Sequence, residues 1–492
     1  EKTFVYKKML KCTGLNDDLL EDPRIPNFYS CLQCGKCTSI CPAAHAYYVD
    51  GDNGKYNPRE IVQILKTDPE YRDLDDYAIE NCYHCYTCKS VCPVGNSVSD
   101  IIKVLKERRK KEYGDFQYRS FYEKGLCVIP EMLSLDEFDD WIGYRDILHN
   151  TKRIREEFGL GGLHREIPPD SIYEIQKIAD LTRDERFKKK KEELETPKKV
   201  IPESKIYLFK SCYADLHYPG MTESIKWVFD NLGVDYIDDP NQSSCTGFAY
   251  YANAIPFSTM LVANARNFAL AEQAGYSNVA PVCVTSYGVL TESKELLESG
   301  LHSEANEILK KIGLRFKDQV NISHISEIFY KFRDKIKPKL KFDFDGLKVA
   351  THHGCHYTKM HKKTAIPYLL DDIVSITGAQ PVYYPEKDLC CGLGFDHTIH
   401  NRDHSRVVAA RKLKSIEDSG AEVVIHACPG CQITLDRNQP YIEKTTGGES
   451  GLVHLNYAQF IALAMGADPY ETVGIQTHSN RLEPILEDFD IL

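Results

Sequence analysis

Cysteine is the side chain with chemistry to offer in this chain. There are eighteen, and sixteen of them fall into two stretches, eight between residues 31 and 92 and eight between 212 and 431. The first stretch holds one pattern twice: Cys31-Leu-Gln-Cys34-Gly-Lys-Cys37-Thr-Ser-Ile-Cys41-Pro42, then Cys82-Tyr-His-Cys85-Tyr-Thr-Cys88-Lys-Ser-Val-Cys92-Pro93. Three thiolates evenly spaced on a tight loop can wrap three corners of an iron–sulfur cubane. The fourth cysteine follows a turn, and the proline after it keeps the loop from running on as helix. Structural zinc also uses paired C-x2-C, but it has no need of a third evenly spaced cysteine and a Cys-Pro, twice over. The pattern predicts two 4Fe-4S cubane clusters.

The spacing is that of two-cluster ferredoxins, in which the fourth cysteine of each run ligates the other cluster. One cluster is therefore expected on Cys31, Cys34, Cys37 and Cys92, the other on Cys82, Cys85, Cys88 and Cys41. The elements that must position them are helical. Some forty residues separate the runs, with apolar periodicity in Pro58–Lys66 and Asp73–Glu80, and Val98–Lys111 is amphipathic again. This resembles the α-helical ferredoxin domain of succinate-dehydrogenase iron–sulfur subunits and of the C-type chain of heterodisulfide reductase.

The second stretch sits in an internal duplication that begins near residue 204. Lys205-Ile-Tyr-Leu-Phe-Lys-Ser-Cys212 and Leu347-Lys-Val-Ala-Thr-His-His-Gly-Cys355 each read as a strand ending on a cysteine. Helices follow (Thr222–Leu232 and Ile366–Ile376), then Ser244-Cys245-Thr-Gly-Phe or Cys390-Cys391-Gly-Leu-Gly-Phe. A longer helix comes next, and each copy closes on a strand and turn carrying Cys283 or Cys428-Pro-Gly-Cys431. Strand alternating with helix predicts two α/β units with mostly parallel sheets, their cysteines at carboxyl strand ends, where such folds build sites. The fold class is thus α+β multidomain. Its expected division is a ferredoxin domain over 1–114, a helical connector over 115–203, and α/β repeats over 204–343 and 344–492. Within the connector, Ser134–Tyr144 and Tyr173–Leu194 read as helices and the stretch 195–202, with two prolines, as a linker.

Cys355-x34-Cys390-Cys391-x36-Cys428-x2-Cys431 converges five thiolates from three loops, one more than a cubane uses. Here the chain resembles the B-type chain of heterodisulfide reductase, whose CCG domains hold noncubane 4Fe-4S clusters that reduce a disulfide. The resemblance covers both repeats and, with the ferredoxin part, looks like a fusion of the C-type and B-type chains. It implies Cys355, Cys390, Cys391, Cys428 and Cys431 as ligands of one noncubane cluster. The first copy departs: its aligned positions are Cys212, Ser244, Cys245, Cys283 and Ser286. A serine hydroxyl is not readily deprotonated, so this site is not expected to hold the same cluster. A structural relic with three buried thiols is the plainer reading. Zinc, or a lesser cluster on Cys212, Cys245 and Cys283 with a serine or His217, is the sharper one.

Histidines crowd the complete site. His352, His353, His356 and His361 lie around Cys355, and His426 precedes Cys428. His356 is the candidate proton donor for a leaving thiolate. The plainer readings are a hydrogen-bond donor that tunes the cluster, or a packed core histidine. Tyr250, Tyr251 and Tyr357 read as packing, Cys12 and Cys127 as small buried or idle thiols. The tail, 452–492, offers no site and is expected to close over the second repeat.

Composition bounds the rest. Over 492 residues the net charge is −11, and the only dense basic run, Lys188–Lys191, is followed at once by glutamates. Nucleic acid is not an expected partner. No apolar run approaches the ~20 residues of a membrane span. The first residues lack a signal-peptide hydrophobic region, so a cytoplasmic, reducing setting is expected, peripheral to a membrane only through a partner. No G-x-G-x-x-G follows a strand, which places hydride chemistry on another, flavin-containing or ferredoxin-type donor subunit of a hetero-oligomeric complex. The expected function is passage of electrons through two cubanes to the noncubane cluster, which reduces a disulfide or related sulfur substrate. The alternatives are a non-catalytic electron-transfer module and, less favoured, a glycolate-oxidase or succinate-dehydrogenase iron–sulfur subunit.

Overall fold

Two helices of the N-terminal region begin where the sequence supplies a cap. Asn57 accepts a hydrogen bond from the Glu60 amide, and Pro58 opens the helix Pro58–Thr67 with its φ already set. Ile61, Val62 and Leu65 form the buried stripe of that helix. Ser97 Oγ accepts from the Asp100 amide at the start of Val98–Arg109, in which Ile101, Ile102, Val104 and Leu105 are all buried. These helices and Pro42–Val49 enclose the two cysteine loops. This computed structural model describes residues 18–49, 56–68, 74, 79–109, 116–125, 146–160, 166–189, 199–446 and 450–492. Cys12, Cys127, the helix expected over 134–144 and most of 73–80 lie outside them.

Both repeats are four-stranded parallel sheets with one topology. The first comprises β1 (Ile206–Phe209), β2 (Tyr236–Ile237), β3 (Asn278–Pro281) and β4 (Asn321–Ile322), in the order β2-β1-β3-β4. The second comprises β5 (Lys348–His352), β6 (Gln380–Val382), β7 (Val423–His426) and β8 (Val453–Asn456), in the order β6-β5-β7-β8. The central strands are buried on both faces, as helix-covered parallel strands must be. The duplication read from the sequence stopped one strand short in each copy. β4 and β8 pair in parallel beyond β3 and β7, Val279 opposite Ile322 and Ile425 opposite Leu455.

Three expected elements differ in length. The helix expected over Tyr173–Leu194 is Pro169–Thr182. Past Thr182 the chain carries no apolar stripe, and the Lys189 amide donates to the Glu21 carbonyl at 2.7 Å instead of to a helical partner. The helix expected over Ile366–Ile376 begins at Leu369, because Tyr368 has φ +56°. The helix expected over Val98–Lys111 is described to Arg109.

The repeats share one hydrophobic core, reached by Tyr118, Phe121, Ile175 and Ile178 of the connector. They face each other across helix Val284–Leu296, whose Gly288 lets His356 approach: a Cβ there would lie 3.0 Å from His356 Cβ. The tail does more than cover the second repeat. After β8 it forms helix Tyr457–Ala464, and Val473 runs so close to Gly220 of the first repeat that a Cβ on Gly220 would overlap the Val473 carbonyl. The ferredoxin region has its own core, and Cys390 and Val408 of the second repeat belong to it.

Candidate iron–sulfur centres

The two ferredoxin loops repeat the same backbone device. Gln33 and Gly35 in the first, and His84 and Tyr86 in the second, all have positive φ. The turn aims amides at sulfur. Gln33 N–H donates to Cys31 Sγ and His84 N–H to Cys82 Sγ, each at 3.4 Å. Asn96 N–H donates to Cys92 Sγ at 3.2 Å. Cys31, Cys34, Cys37 and Cys92 line one cleft, together with Cys88 of the second loop. Cys41 is on the other side: burial and the surrounding Cys85, Cys82 and Cys88 push its thiol well up. Cys92 of the second run thus lies beside the cysteines of the first, and Cys41 of the first beside those of the second.

In the repeats, Cys212, Cys283, Cys355 and Cys428 each follow β1, β3, β5 or β7 by two or three residues, at carboxyl strand ends. Two glycines bring the loops of the second repeat together. Gly354, at φ +99°, leaves room for Cys428, whose Cβ would lie 3.3 Å from a Cβ at 354. Gly392, also at φ +99°, presses on helix Arg402–Glu417, where its carbonyl accepts from Ser405 Oγ at 2.5 Å.

The five thiols of the second repeat form a connected set. Cys390 is hydrogen-bonded to Cys355 and to Cys391, which reaches Cys431, which reaches Cys428. These contacts divide the protons. Hydrogen bonding from Cys390, against burial and with help from His356, lowers Cys355 to about 5. Cys391 is held well below the usual thiol range by Cys390 and Cys431, and Cys428 by Cys283 and Cys431. Cys390 and Cys431 are held well above it. Three thiolates in a buried pocket are the donor set a soft metal centre takes.

His356 is buried, and its Nδ1 lies 3.6 Å from Cys355 Sγ. Burial lowers its basicity, but Cys355, with Cys428 and Cys85, outweighs burial and raises it. His352 belongs to the site as well: a ring nitrogen and the sulfurs of Cys391 and Cys431 lie within 4.8 Å of one another. Lys412 was not foreseen. It is buried, donates to the Glu386 carbonyl at 2.5 Å, and faces Cys391, Cys431 and Cys390. Its only signal in the sequence was one lysine on the inner face of a helix. The tyrosines pack and hold other groups: Tyr250 Oη accepts from Arg24 and Tyr357 Oη donates to Glu327.

The first repeat does not gather its cysteines in the same way. Cys212 and Cys245 lie 3.8 Å apart, and Ser286 Oγ is 3.4 Å from Cys245. Ser244 turns away and donates to Asn267 Oδ1 at 2.8 Å. Cys283 crosses to the second repeat, 4.0 Å from Cys428 Sγ. His217 is buried, its basicity lowered by burial and by Arg437 and Arg155. Among the described residues, the trio His352, Cys391 and Cys431 brings its ligand atoms within 4.8 Å, and no trio from the first repeat does.

The two cysteine regions also meet. Cys85 of the second ferredoxin loop lies in the same buried cluster as Cys390, whose sulfur holds the Cys85 thiol below the usual range. Around that contact Tyr83 stacks on His397 at 4.1 Å and its hydroxyl lies 2.7 Å from His404 Nδ1. Lys106, with no exposed side chain, reaches Asp396 at 2.5 Å.

A cysteine-rich CCG domain matches residues 206–290 and again 349–436, and a 4Fe-4S dicluster domain matches 27–96. The chain is 41% identical over 308 residues to the B-type chain of the ferredoxin:CoB-CoM heterodisulfide reductase of Methanosarcina acetivorans, covering 59% of this chain and 98% of that protein. It belongs to the heterodisulfide reductase family. A further relative is the C-type chain of the ferredoxin:CoB-CoM enzyme in the same organism, 32% identical over 165 residues, covering 31% of this chain and 61% of that protein. The family's two chain types are thus joined here in one B/C-like iron–sulfur electron-transfer protein. Another relative is the membrane anchor of the 8-methylmenaquinol:fumarate reductase of Wolinella succinogenes, 29% identical over 47% of this chain and 82% of that one. Among the described residues of this chain no helix is long and apolar enough to cross a membrane.

Proposed function

We propose that Cys31, Cys34, Cys37 and Cys92 would hold one 4Fe-4S cubane, Cys82, Cys85, Cys88 and Cys41 a second, and Cys355, Cys390, Cys391, Cys428 and Cys431 a noncubane 4Fe-4S cluster, which together would supply one-electron carriers between a donor and the last of these sites. There a disulfide, or a related sulfur substrate, takes two electrons and two protons and leaves as two thiols. The observation that carries this reading is the Cys85–Cys390 contact, which puts a ligand of the second cubane against a ligand of the terminal cluster. The bound clusters supply one-electron storage. The chain supplies thiolates, the buried Lys412 beside them, and His356 as the proton donor.

The inlet suits a partner. Cys34 is exposed, and Leu32 and Val94 beside the first loop are 66% and 37% exposed. A flavin-containing or ferredoxin-type donor subunit in a hetero-oligomeric complex fits that face, since the relatives are themselves named as subunits. The setting is cytoplasmic, with membrane contact only through a partner. The working units are 1–114, 115–203, 204–343 and 344–492. A second reading, relay without disulfide chemistry, is favoured by the incomplete first repeat, which leaves one five-cysteine site. Anoxic holoprotein given a reduced viologen and a disulfide decides between them. Turnover that is lost in Cys428→Ala supports reduction; no turnover with every cluster present and reducible removes it.

A further inference from the structure

The first repeat keeps two of its sulfurs together. Cys212, just past β1, and Cys245 have their Sγ atoms 3.8 Å apart, and Ser286 Oγ lies 3.4 Å from Cys245 Sγ. Ser244 is bonded to Asn267, and Cys283 lies 4.0 Å from Cys428 of the second repeat. Two sulfurs and one hydroxyl are too few soft donors for a cubane or a structural zinc site, each of which takes four. They are enough for a different chemistry. Two thiols this close can be joined as a disulfide, whose sulfurs stand about 2.05 Å apart, by a shift of about 1 Å in each side chain.

The pair is shut away from bulk solvent. Cys212 and Cys245 are 8% and 2% exposed. The connector pins the loop that carries Cys245. The Cys245 amide donates to the Gly125 carbonyl at 3.0 Å, and a Cβ on Gly125 would lie 2.8 Å from the Ser243 carbonyl oxygen. Burial of this kind keeps a bulky thiol out but not an electron. The link to the second repeat is the first turn of helix Val284–Leu296 and the residue before it. Ser286 touches Cys245, while Cys283 Sγ and Thr285 Oγ1 lie 4.0 Å and 3.8 Å from Cys428 Sγ. About one helical turn, roughly 5.4 Å, therefore separates the pair from one of the five thiols of the terminal site.

We infer that Cys212 and Cys245 are a dithiol/disulfide couple that holds an electron pair for the terminal site. The inference rests on the disulfide-reduction reading. In this structure both are thiols. The step balances. Cys212–SH and Cys245–SH lose two electrons and two protons as an S–S bond forms between them. A substrate R–S–S–R′ at the terminal site takes two electrons and two protons and leaves as R–SH and R′–SH. Two further electrons from the donor subunit and two protons from solvent restore the dithiol. Electrons that arrive singly must be paired before a disulfide is cleaved, and a couple one turn away holds the pair. The serines at 244 and 286 suit this use, because each stands where a cysteine would draw the two sulfurs into a cluster.

The test reads the couple without turnover. Anoxic holoprotein is equilibrated with graded ratios of oxidised to reduced dithiothreitol, with a viologen as mediator, then quenched in acid, alkylated and digested for mass spectrometry. The expected result is a peptide cross-linked between Cys212 and Cys245 whose share rises with the oxidised fraction, while the EPR signals of the clusters persist. Cys212→Ser and Cys245→Ser should each abolish the cross-link and keep about twelve irons per chain. Fully reduced wild type given excess disulfide and no donor should release about two thiols per chain more than either variant. Absence of the cross-link at every ratio overturns the couple. So does a loss of iron in either variant with circular dichroism unchanged, which would make the two sulfurs metal ligands. A cross-link that titrates in a protein that turns over no disulfide keeps the couple and removes the reduction reading.

Discussion

Gly394→Ala tests the packed junction between the ferredoxin region and the second repeat. Gly394 sits in the loop after Cys390 and Cys391 with φ +59°. A Cβ there would lie 2.8 Å from Tyr83 Cδ1, and 2.9 Å from Tyr83 Cε1 and from His397 Nδ1. Tyr83 has no room to retreat, because its ring stacks on His397 and its hydroxyl is bonded to His404. The left-handed backbone costs an alanine about 1–2 kcal/mol, and overpacking adds about 1–3 kcal/mol. Gly420 supplies the control: its φ is +74°, and no atom lies within 4 Å of a Cβ placed there. Gly420→Ala carries the backbone cost alone, so the difference between the variants, about 1–3 kcal/mol, measures the packed junction. Urea unfolding of anoxic holoprotein, followed by circular dichroism and cluster absorbance, reads it. Gly394→Ala is also expected to slow reduction of the terminal cluster by dithionite in freeze-quench EPR, by displacing Tyr83 and with it Cys85. Equal destabilisation by the two alanines, with unchanged electron transfer, refutes the reasoning.

Other outcomes follow from single groups. Lys106→Met leaves Asp396 buried without its cation and should cost about 3–5 kcal/mol, much of it recovered in Lys106→Met/Asp396→Asn, measured by the same unfolding. Glu292 is raised to about 8 by burial and by Asp100, against Lys89. Its folded form keeps a proton that the unfolded chain releases above 4.5, so stability falls as pH rises from about 4.5 to 8. Glu292→Gln should remove that slope from the urea midpoint. Iron analysis should give about twelve irons per chain, falling to about eight in Cys391→Ala/Cys431→Ala with the ferredoxin EPR signals retained. A value near sixteen would mean that the first repeat completes a cluster with Ser244 and Ser286.

The chemistry was legible because it is written in local spacing. Cys31 to Cys41 and Cys82 to Cys92 set their loops within a dozen residues, and Cys-Pro-Gly-Cys follows directly on β7. The central strands were legible as apolar runs buried on both faces. β4 was not, because two residues carry no period, and its identity comes from pairing with β3. The helix after Pro169 was overextended because charged residues past Thr182 are compatible with a helix until a partner such as Glu21 claims the backbone. Contacts between distant segments left no local trace. Nothing near Cys283 announces that it turns to Cys428, nothing near Cys85 that it meets Cys390, and Lys412 is one lysine in an ordinary amphipathic helix.

The proposed electron path ends at the second repeat. Fully reduced, anoxic holoprotein is mixed with a disulfide and sampled by rapid-freeze EPR while free thiol is counted. The terminal signal should be oxidised first, with thiol released alongside it, and the two ferredoxin signals should follow. In Cys391→Ala/Cys431→Ala the ferredoxin signals should stay reduced and no thiol should appear. Oxidation of the ferredoxin signals at the wild-type rate in that variant, with thiol released, would contradict it.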